Sequence, residues 1–428
     1  MNSKETRTLF SLRSKSILFN CLILKKVRYC AIIVIKKAVL GMENILSIFD
    51  TIDSLTDQYV NIWEDVCNIE SPSVDKEAVD QVGSYFIRMA ESMGWKTEKY
   101  PQKRFGDVIC ITMNPNSTAA PIALSGHMDT VHPIGIFSLP AARRDGDKLH
   151  GPGAMDCKGG IVSGFLAMHA LERSGYKDRP VMMLLQSNEE IGSGKNNKEP
   201  IRCICEKAKY AVAFLNLEGH EGYFAGKACL VRKGIAGFVF RVHGISAHAS
   251  YCAREGASAI AEAAKKIVEL EKIKNDSGIT FNVGKINGGT VRNTVPDLCE
   301  FELDCRYVKN EDLDEIKRIV EAVADHTYIQ GCTCEAELIN WRHPMELCER
   351  NIDLFNKANA AFVENGLSPL EIGFRNGGSD AADVTAFGIP CIDSLGVGGE
   401  RAHSTEEYGV ISSLPESAKR IAAIVCSI

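Results

Sequence analysis

The residues best suited to chemistry stand where apolar runs stop. The run Pro121-Ile-Ala-Leu-Ser-Gly ends in His127, with Asp129 two residues further on. Where a strand continues, residues i and i+2 project to the same side. His127 and Asp129 are therefore expected side by side at the strand's exit, the first as a metal ligand and the second gripping its free ring nitrogen. A buried structural His–Asp pair would read the same way. Other runs end alike: Leu185 leads to Glu189-Glu190, Leu215 to Glu218, and Ile392, past Gly396-Val-Gly-Gly, to His403. Asp156 lies in a glycine-rich loop between two of them. A single carboxylate after a strand is usually just solvated, and Glu189-Glu190 alone also suits an exposed turn or a helix N-terminus. Together the five segments point to one crevice, because open α/β sheets gather their sites outside the carboxyl ends of strands.

Charge suggests what that crevice holds. Two divalent cations balance three carboxylates and a hydroxide, and two neutral imidazoles complete a mixed nitrogen–oxygen shell. Such a donor set suits Zn2+, two per subunit, with Co2+ or Mn2+ as substitutes. Asp156 would bridge the ions. Glu190 would bind metal while Glu189, diverging from it, stays free as general acid/base. Water held by such ions approaches a pKa of about 7, and an unligated carboxylate beside it can take its proton. The loop Gly151–Gly160 precedes a helix but lacks the G-x-G-x-x-G and P-loop lysine patterns, so no nucleotide site is expected. Cys157 reads as a passive neighbour of Asp156.

The elements that must position these groups follow from periodicity. Ile45–Cys67 and Lys76–Met93 have helical spacing; Val108–Met113, Pro121–Ser125, Lys148–His150, Pro180–Ser187 and Ala211–Leu217 read as strands, with a helix over Ile161–Ser174. Alternating strands and helices imply an α/β fold: a doubly wound, largely parallel sheet covered on both faces. From Leu230 to Leu338 the rhythm changes. Strand Gly237–His243, helix Arg254–Lys274, strands Thr280–Ile286 and Leu298–Tyr307, helix Glu311–Asp325 and strand Thr333–Leu338 follow the βαββαβ order of a ferredoxin-like unit. Helices Arg350–Gly366, Asp380–Phe387 and Leu414–Cys426 with strand Ile389–Ser394 complete the first domain. The expected organisation is thus residues 42–230 and 341–428 as one domain, 231–340 inserted in it, and 1–41 as an extension.

A chain of 428 residues is too long for one simple core. Its net charge of −6 is unevenly spread: residues 1–41 hold nine Lys/Arg against Glu5 alone, leaving the remainder strongly acidic. Such a body disfavours nucleic acid and anionic membranes as partners. In residues 1–41 the apolar stretches Ile17–Leu24 and Val27–Ile35 are split by Lys25-Lys26, too short for a spanning helix. That segment reads as a dispensable, poorly ordered extension, with a membrane-surface anchor as the rival. The 16 cysteines are dispersed and no C-x-x-C occurs, which suggests reduced thiols and a cytoplasmic location.

Eight ordered segments, GHMDTVHP, GPGAMDCKGG, SNEEIGS, NLEG, GISAHAS, NTVPD, NGGSDAAD and ERAHS, resemble the di-zinc aminoacylase and carboxypeptidase family. That family includes acetylornithine deacetylase, succinyl-diaminopimelate desuccinylase, peptidase T and bacterial glutamate carboxypeptidases. The resemblance implies one zinc on His127, Asp156 and Glu218 and the other on Asp156, Glu190 and His403. It gives Asp129 the orienting role, Glu189 the acid/base role and the inserted domain the roles of lid and homodimer contact. His248, in Gly-Ile-Ser-Ala-His, corresponds to a histidine that reaches the partner subunit's site to stabilise the oxyanion. The spacing of Lys227, Asn293, Arg306 and Arg342 is most similar to glutamate carboxypeptidases, where such residues grip a C-terminal glutamate. The Asn376-Gly-Gly-Ser-Asp380 loop resembles the family's substrate-carboxylate loop. The implied reaction is hydrolysis of the amide before a C-terminal glutamate or similar acidic residue, in a peptide or an N-acyl amino acid. Deacylation of acetyl- or succinyl-amino acids, tripeptide aminopeptidase activity and a non-catalytic scaffold are the competing readings.

Overall fold

The structure is a computed structural model that describes residues 45–223, 225–251, 254–274 and 278–428. The basic segment 1–41 lies outside them. Two helices open the fold: α1 (45–67) and α2 (Lys76–Ser92), which starts where the Asp75 side chain accepts the Ala78 N–H. The strands β1 (Lys96–Tyr100), β2 (Val108–Met113) and β3 (Ile122–His127) follow, then a hairpin of β4 (Arg143–Asp145) and β5 (Lys148–His150). An irregular turn at 154–158 enters α3 (Gly159–Arg173), followed by β6 (Val181–Gln186), α4 (Glu199–Ala208), β7 (Ala213–Asn216), β8 (His220–Glu221) and β9 (Lys227–Arg232).

The next stretch holds β10 (Gly234–His243), β11 (Ala247–His248), α5 (Ala259–Glu271), β12 (Thr280–Gly288), β13 (Thr294–Val295), β14 (Leu298–Tyr307), α6 (Asp312–Asp325) and β15 (Thr333–Arg342). The chain then returns through α7 (Glu349–Glu364), β16 (Glu371–Arg375), α8 (Asp380–Ala386), β17 (Cys391–Ile392), β18 (Gly398–Glu400), β19 (Tyr408–Val410) and α9 (Ser413–Ser427).

The main sheet has the order β1-β2-β6-β3-β7-β17. Pairs from β6 to β17 are parallel, and β2 runs against both of its neighbours. β2 and β3 are buried along their whole length, so both faces of the sheet are covered. That double burial explains why these strands read as continuous apolar runs instead of alternating ones. The fold is therefore α/β with a mixed, largely parallel sheet.

A second sheet, β12-β14-β10-β15, is wholly antiparallel. Its β14 alternates buried with half-buried positions, as a strand with one face on helices and one towards solvent must. Its core, including Phe240, Phe281, Phe301 and Ile316, is separate from the large cluster around the main sheet. Buried Lys266 on α5 donates to the Val323, Ala324 and His326 carbonyls, closing the end of α6. The helix expected from Arg254 starts at Ala259 instead. Gly256 adopts φ +88°, and Ser258 caps the first turn by accepting the Ala261 N–H. The strand expected over Ile389–Ser394 contracts to Cys391–Ile392. All cysteines among the described residues are free thiols. No helix among them is long and apolar enough to cross a membrane.

Candidate metal centre and its cavity

β3 ends at His127, and its neighbours β6 and β7 end close by, so the segments that follow all leave the same edge of the sheet. His127 Nε2 lies 2.9 Å from Asp156 Oδ1 and 3.8 Å from Glu218 Oε1. The other Asp156 oxygen, Oδ2, faces His403 Nε2 at 3.3 Å, and His403 Nε2 is 3.1 Å from Glu190 Oε2. Each oxygen of one carboxylate thus belongs to a different cluster. His403 reaches its place from a turn in which both Arg401 and His403 have positive φ, each 63°.

Asp129 meets His127 more closely through its main chain than through its carboxylate. The chain turns after His127, so the strand alternation does not extend to position 129. His127 Nδ1 lies 2.9 Å from the Asp129 main-chain carbonyl and 3.5 Å from its carboxylate. That carboxylate accepts the Glu189 and Glu190 N–H groups at 3.0 and 3.2 Å and the Ser73 hydroxyl at 2.5 Å. It holds the short helical turn Glu189–Ile191 that aims the two glutamates apart. Glu190 turns to His403, while Glu189 pairs with the buried Arg342, whose Nη2 also donates to the Glu189 carbonyl at 2.9 Å.

Electrostatics mark the cluster as a place for cations. Burial pushes the Glu190 carboxyl up to about 7. Glu218 is raised well above the usual range by burial and then by the charge of Asp156. Burial also opposes ionisation of Asp156, but hydrogen bonds from both histidines hold it well below the ordinary carboxylate range. Hydrogen bonds to Asp156 and Glu190 raise His403 to about 11. Crowded, dehydrated carboxylates with imidazoles between them are what divalent cations relieve. The donor set fits: His127, Asp156 and Glu190 offer atoms within 4.8 Å of one another. Cys157 lies equally close, but burial raises its thiol to about 12, and a protonated thiol is a poor ligand.

A cavity of about 360 Å³ opens over these groups, lined by Glu189, Glu190, Glu218 and His403 together with Arg232, Arg342, Arg375 and Gly377-Gly378. Of the four residues expected to bind substrate, only Arg342 lines it. Lys227, 3.6 Å from Glu371, faces an adjoining cavity that shares Glu221 and Arg375 with the first. Arg306 is paired with Asp304 at 2.7 Å on β14. Asn293 and His248 lie together on the β11–β13 ribbon, where the Ala249 N–H donates to the Asn293 carbonyl. His248 is exposed, contacts Ser250 Oγ at 2.7 Å, and does not line the cavity of its own protomer.

Sequence reasoning passed over three groups here. Arg232 is buried, pairs with Asp393 at 2.5 Å and donates to the Gly377 and Gly378 carbonyls at 3.2 Å. Arg375 makes no ion pair among the described residues. Its position directly before Asn376-Gly-Gly was the available signal. Glu407 Oε1 accepts the Met155 and Asp156 N–H groups and fixes the loop that carries Asp156.

Comparison with known proteins accords with this geometry. Residues 230–332 match the peptidase dimerisation domain of the M20 family. Carboxypeptidase G2 of Pseudomonas sp. strain RS-16 is 27% identical over 364 residues, covering 83% of this chain and 86% of that protein. The aminopeptidase PepT of Bacillus cereus superposes with a TM-score of 0.72 at 22% identity, over 87% of this chain and 98% of that one. A dinuclear metal-binding M20 peptidase of Bacillus subtilis gives 0.66 at 17% identity, over 88% and 100%. The dimerisation-domain match, the sequence likeness across most of the chain and the shared fold make this protein similar to the M20 metallopeptidases.

Proposed function

We propose that the protein is a homodimeric, two-zinc carboxypeptidase that releases a C-terminal glutamate, or a similar acidic residue, from peptides or N-acyl amino acids. The observation that carries this reading is Asp156, whose two oxygens face separate His/Glu clusters. His127, Asp156 and Glu218 would hold one ion, and Asp156, Glu190 and His403 the other, with Co2+ or Mn2+ able to replace zinc. Bound there, such ions supply Lewis-acid polarisation of the scissile carbonyl and an activated water.

Glu189 faces the same cavity without belonging to either cluster. It takes the proton of the attacking water and returns it to the departing amine. Arg375, unpaired among the described residues, and Arg342 beside the Gly377-Gly378 backbone supply the positive wall an acidic leaving residue requires. Lys227 adds a cation at the adjoining cavity. His248 and Asn293, exposed on one ribbon of the dimerisation domain, are presented to the partner's site, where the imidazole N–H meets the oxyanion. The dispersed cysteines of the sequence, with no C-x-x-C, suit a cytoplasmic setting.

Two measurements test this reading. Glu189→Gln should lower kcat by at least about a thousandfold with two metal ions still bound per subunit; near-normal turnover would remove Glu189 from the mechanism. In a substrate panel, acyl-glutamates should exceed acetylornithine and tripeptides in kcat/KM. The reverse order would reassign the chain to deacylation or tripeptide cleavage.

A further inference from the structure

Successive residues of a strand face opposite ways, and the exit of β15 uses both sides. Arg342 lines the carboxylate cavity, while Trp341 and His343 line a second one of about 540 Å³. That volume is ordinary for a small-molecule site. Ile201, Trp341, Ala386 and Phe387 supply apolar wall, and four charged groups stand among them, of which Lys198 and Asp383 are the most buried. Lys198, only 5% exposed, lies 4.7 Å from the centre of the Trp341 ring and has no hydrogen-bond partner for its ammonium. Asp383 approaches that ammonium at 3.5 Å through Oδ1, while its buried Oδ2 is likewise without a hydrogen bond.

Lys198 and Asp383 offset each other's charge at 3.5 Å, yet each keeps hydrogen-bonding capacity that a ligand in the cavity could complete. Arg202 and Glu206 also line the cavity and offset each other, so the lining is close to neutral. A simple carboxylate would satisfy Lys198 but be repelled by Asp383, and a simple amine would meet the reverse. A ligand with both charges on one small head and an apolar tail satisfies both groups. Asp383 is in turn 3.9 Å from Arg342 Nε, and Arg342 grips Glu189. The cavity is thereby wired to the group assigned the proton transfer.

We propose that this cavity binds a free α-amino acid with an apolar side chain, its ammonium donating to Asp383 and its carboxylate accepting from Lys198, and that occupancy lowers turnover through Arg342. The regulatory half rests on the peptidase reading; the binding half does not.

Calorimetric titration of the full-length, metal-loaded protein with L-phenylalanine tests it, with phenylpropionate and phenethylamine as probes lacking one charge. Saturable binding of L-phenylalanine is expected, with each analogue at least about tenfold weaker. Ala386→Trp, which plugs the exposed mouth, and Lys198→Met should each abolish the binding. Ala386→Trp should leave turnover without amino acid within about twofold of wild type. Absent binding, binding that survives both variants, or equal affinity for phenylpropionate overturns the site. Saturable binding with kcat unchanged overturns the coupling to Glu189.

Discussion

Glu407 has no apolar run leading to it and no histidine beside it, yet it holds the Asp156 loop through two N–H groups at 2.9 and 3.0 Å. Partners that orient a ligand affect metal affinity almost as strongly as ligands do. Glu407→Ala should therefore weaken metal binding by about ten- to a hundredfold in competition with a chromophoric chelator, with the far-UV spectrum unchanged. Glu407→Gln, whose amide oxygen still accepts, should lose less, and unchanged affinity in the alanine variant would refute the role. Asp107 offers a residue-scale test of stability. Burial pushes its carboxyl up, but Lys76, the Gln102 N–H and Lys99 outweigh that and hold it below the ordinary range. A depressed folded pKa means the contribution is present above the unfolded value of about 3.9 and is lost as pH falls through the folded one. Asp107→Asn should therefore lower stability by about 2 kcal/mol at pH 7 in urea titrations, with the gap closing as the pH falls through the folded value. A gap that persists in acid would show that charge is not its source. His127, Glu190, Glu218 and His403, named from strand ends, and Asp156 from the glycine-rich loop are those the fold draws together, because a strand end is visible as an apolar run stopping. Glu407, Arg232 and Arg375 owe their positions to tertiary contacts over long separations, and no local pattern encodes that.

The elements that place the site were legible where burial made them long and apolar. β2, β3 and β6 carry nearly unbroken runs, and their expected bounds lie within a residue or two of the observed ones. The edge strand β1 and helix α4 were not anticipated. β1 is the polar KTEKY, and α4 is preceded by a loop of polar residues that hides its start. The two- and three-residue strands β8, β18 and β19, which steer the chain around His403, are too short to show a period. Gly160 explains why the glycine-rich loop feeds α3 without serving a nucleotide. A Cβ there would overlap the Leu217 carbonyl oxygen, one residue before Glu218. Glycine lets the start of α3 press against the exit of β7, so Asp156 and Glu218 share a wall. Gly160→Ala should lower stability by about 2–3 kcal/mol and reduce metal affinity. Gly226→Ala, where a Cβ meets nothing within 4 Å and φ is not positive, is the matched control and should be near neutral. Equal behaviour of the two variants would dismiss the close approach.

At the scale of the whole molecule, the proposed reaction divides between two protomers. The cavity of one protomer holds carboxylates, imidazoles and guanidiniums, while the exposed ribbon carrying His248 and Asn293 belongs to the antiparallel unit and does not line it. Around that ribbon Ile245, Ile286, Val291 and Leu298 are each about half exposed, an apolar surface within the matched dimerisation domain. A two-fold dimer uses the same patch twice, so if one His248 serves the neighbouring site, each serves the other's. Pairing two inactive variants tests this reciprocity. Glu189→Gln spoils the site on its own chain, whereas His248→Ala would spoil only the site across the interface. In a heterodimer purified through two different tags, one site should carry both defects and the other neither. About half of wild-type activity should then return, although each homodimer is inactive. Restoration requires that His248 act across the interface, because a histidine serving its own chain would leave every site in the heterodimer with one defect and no activity at all.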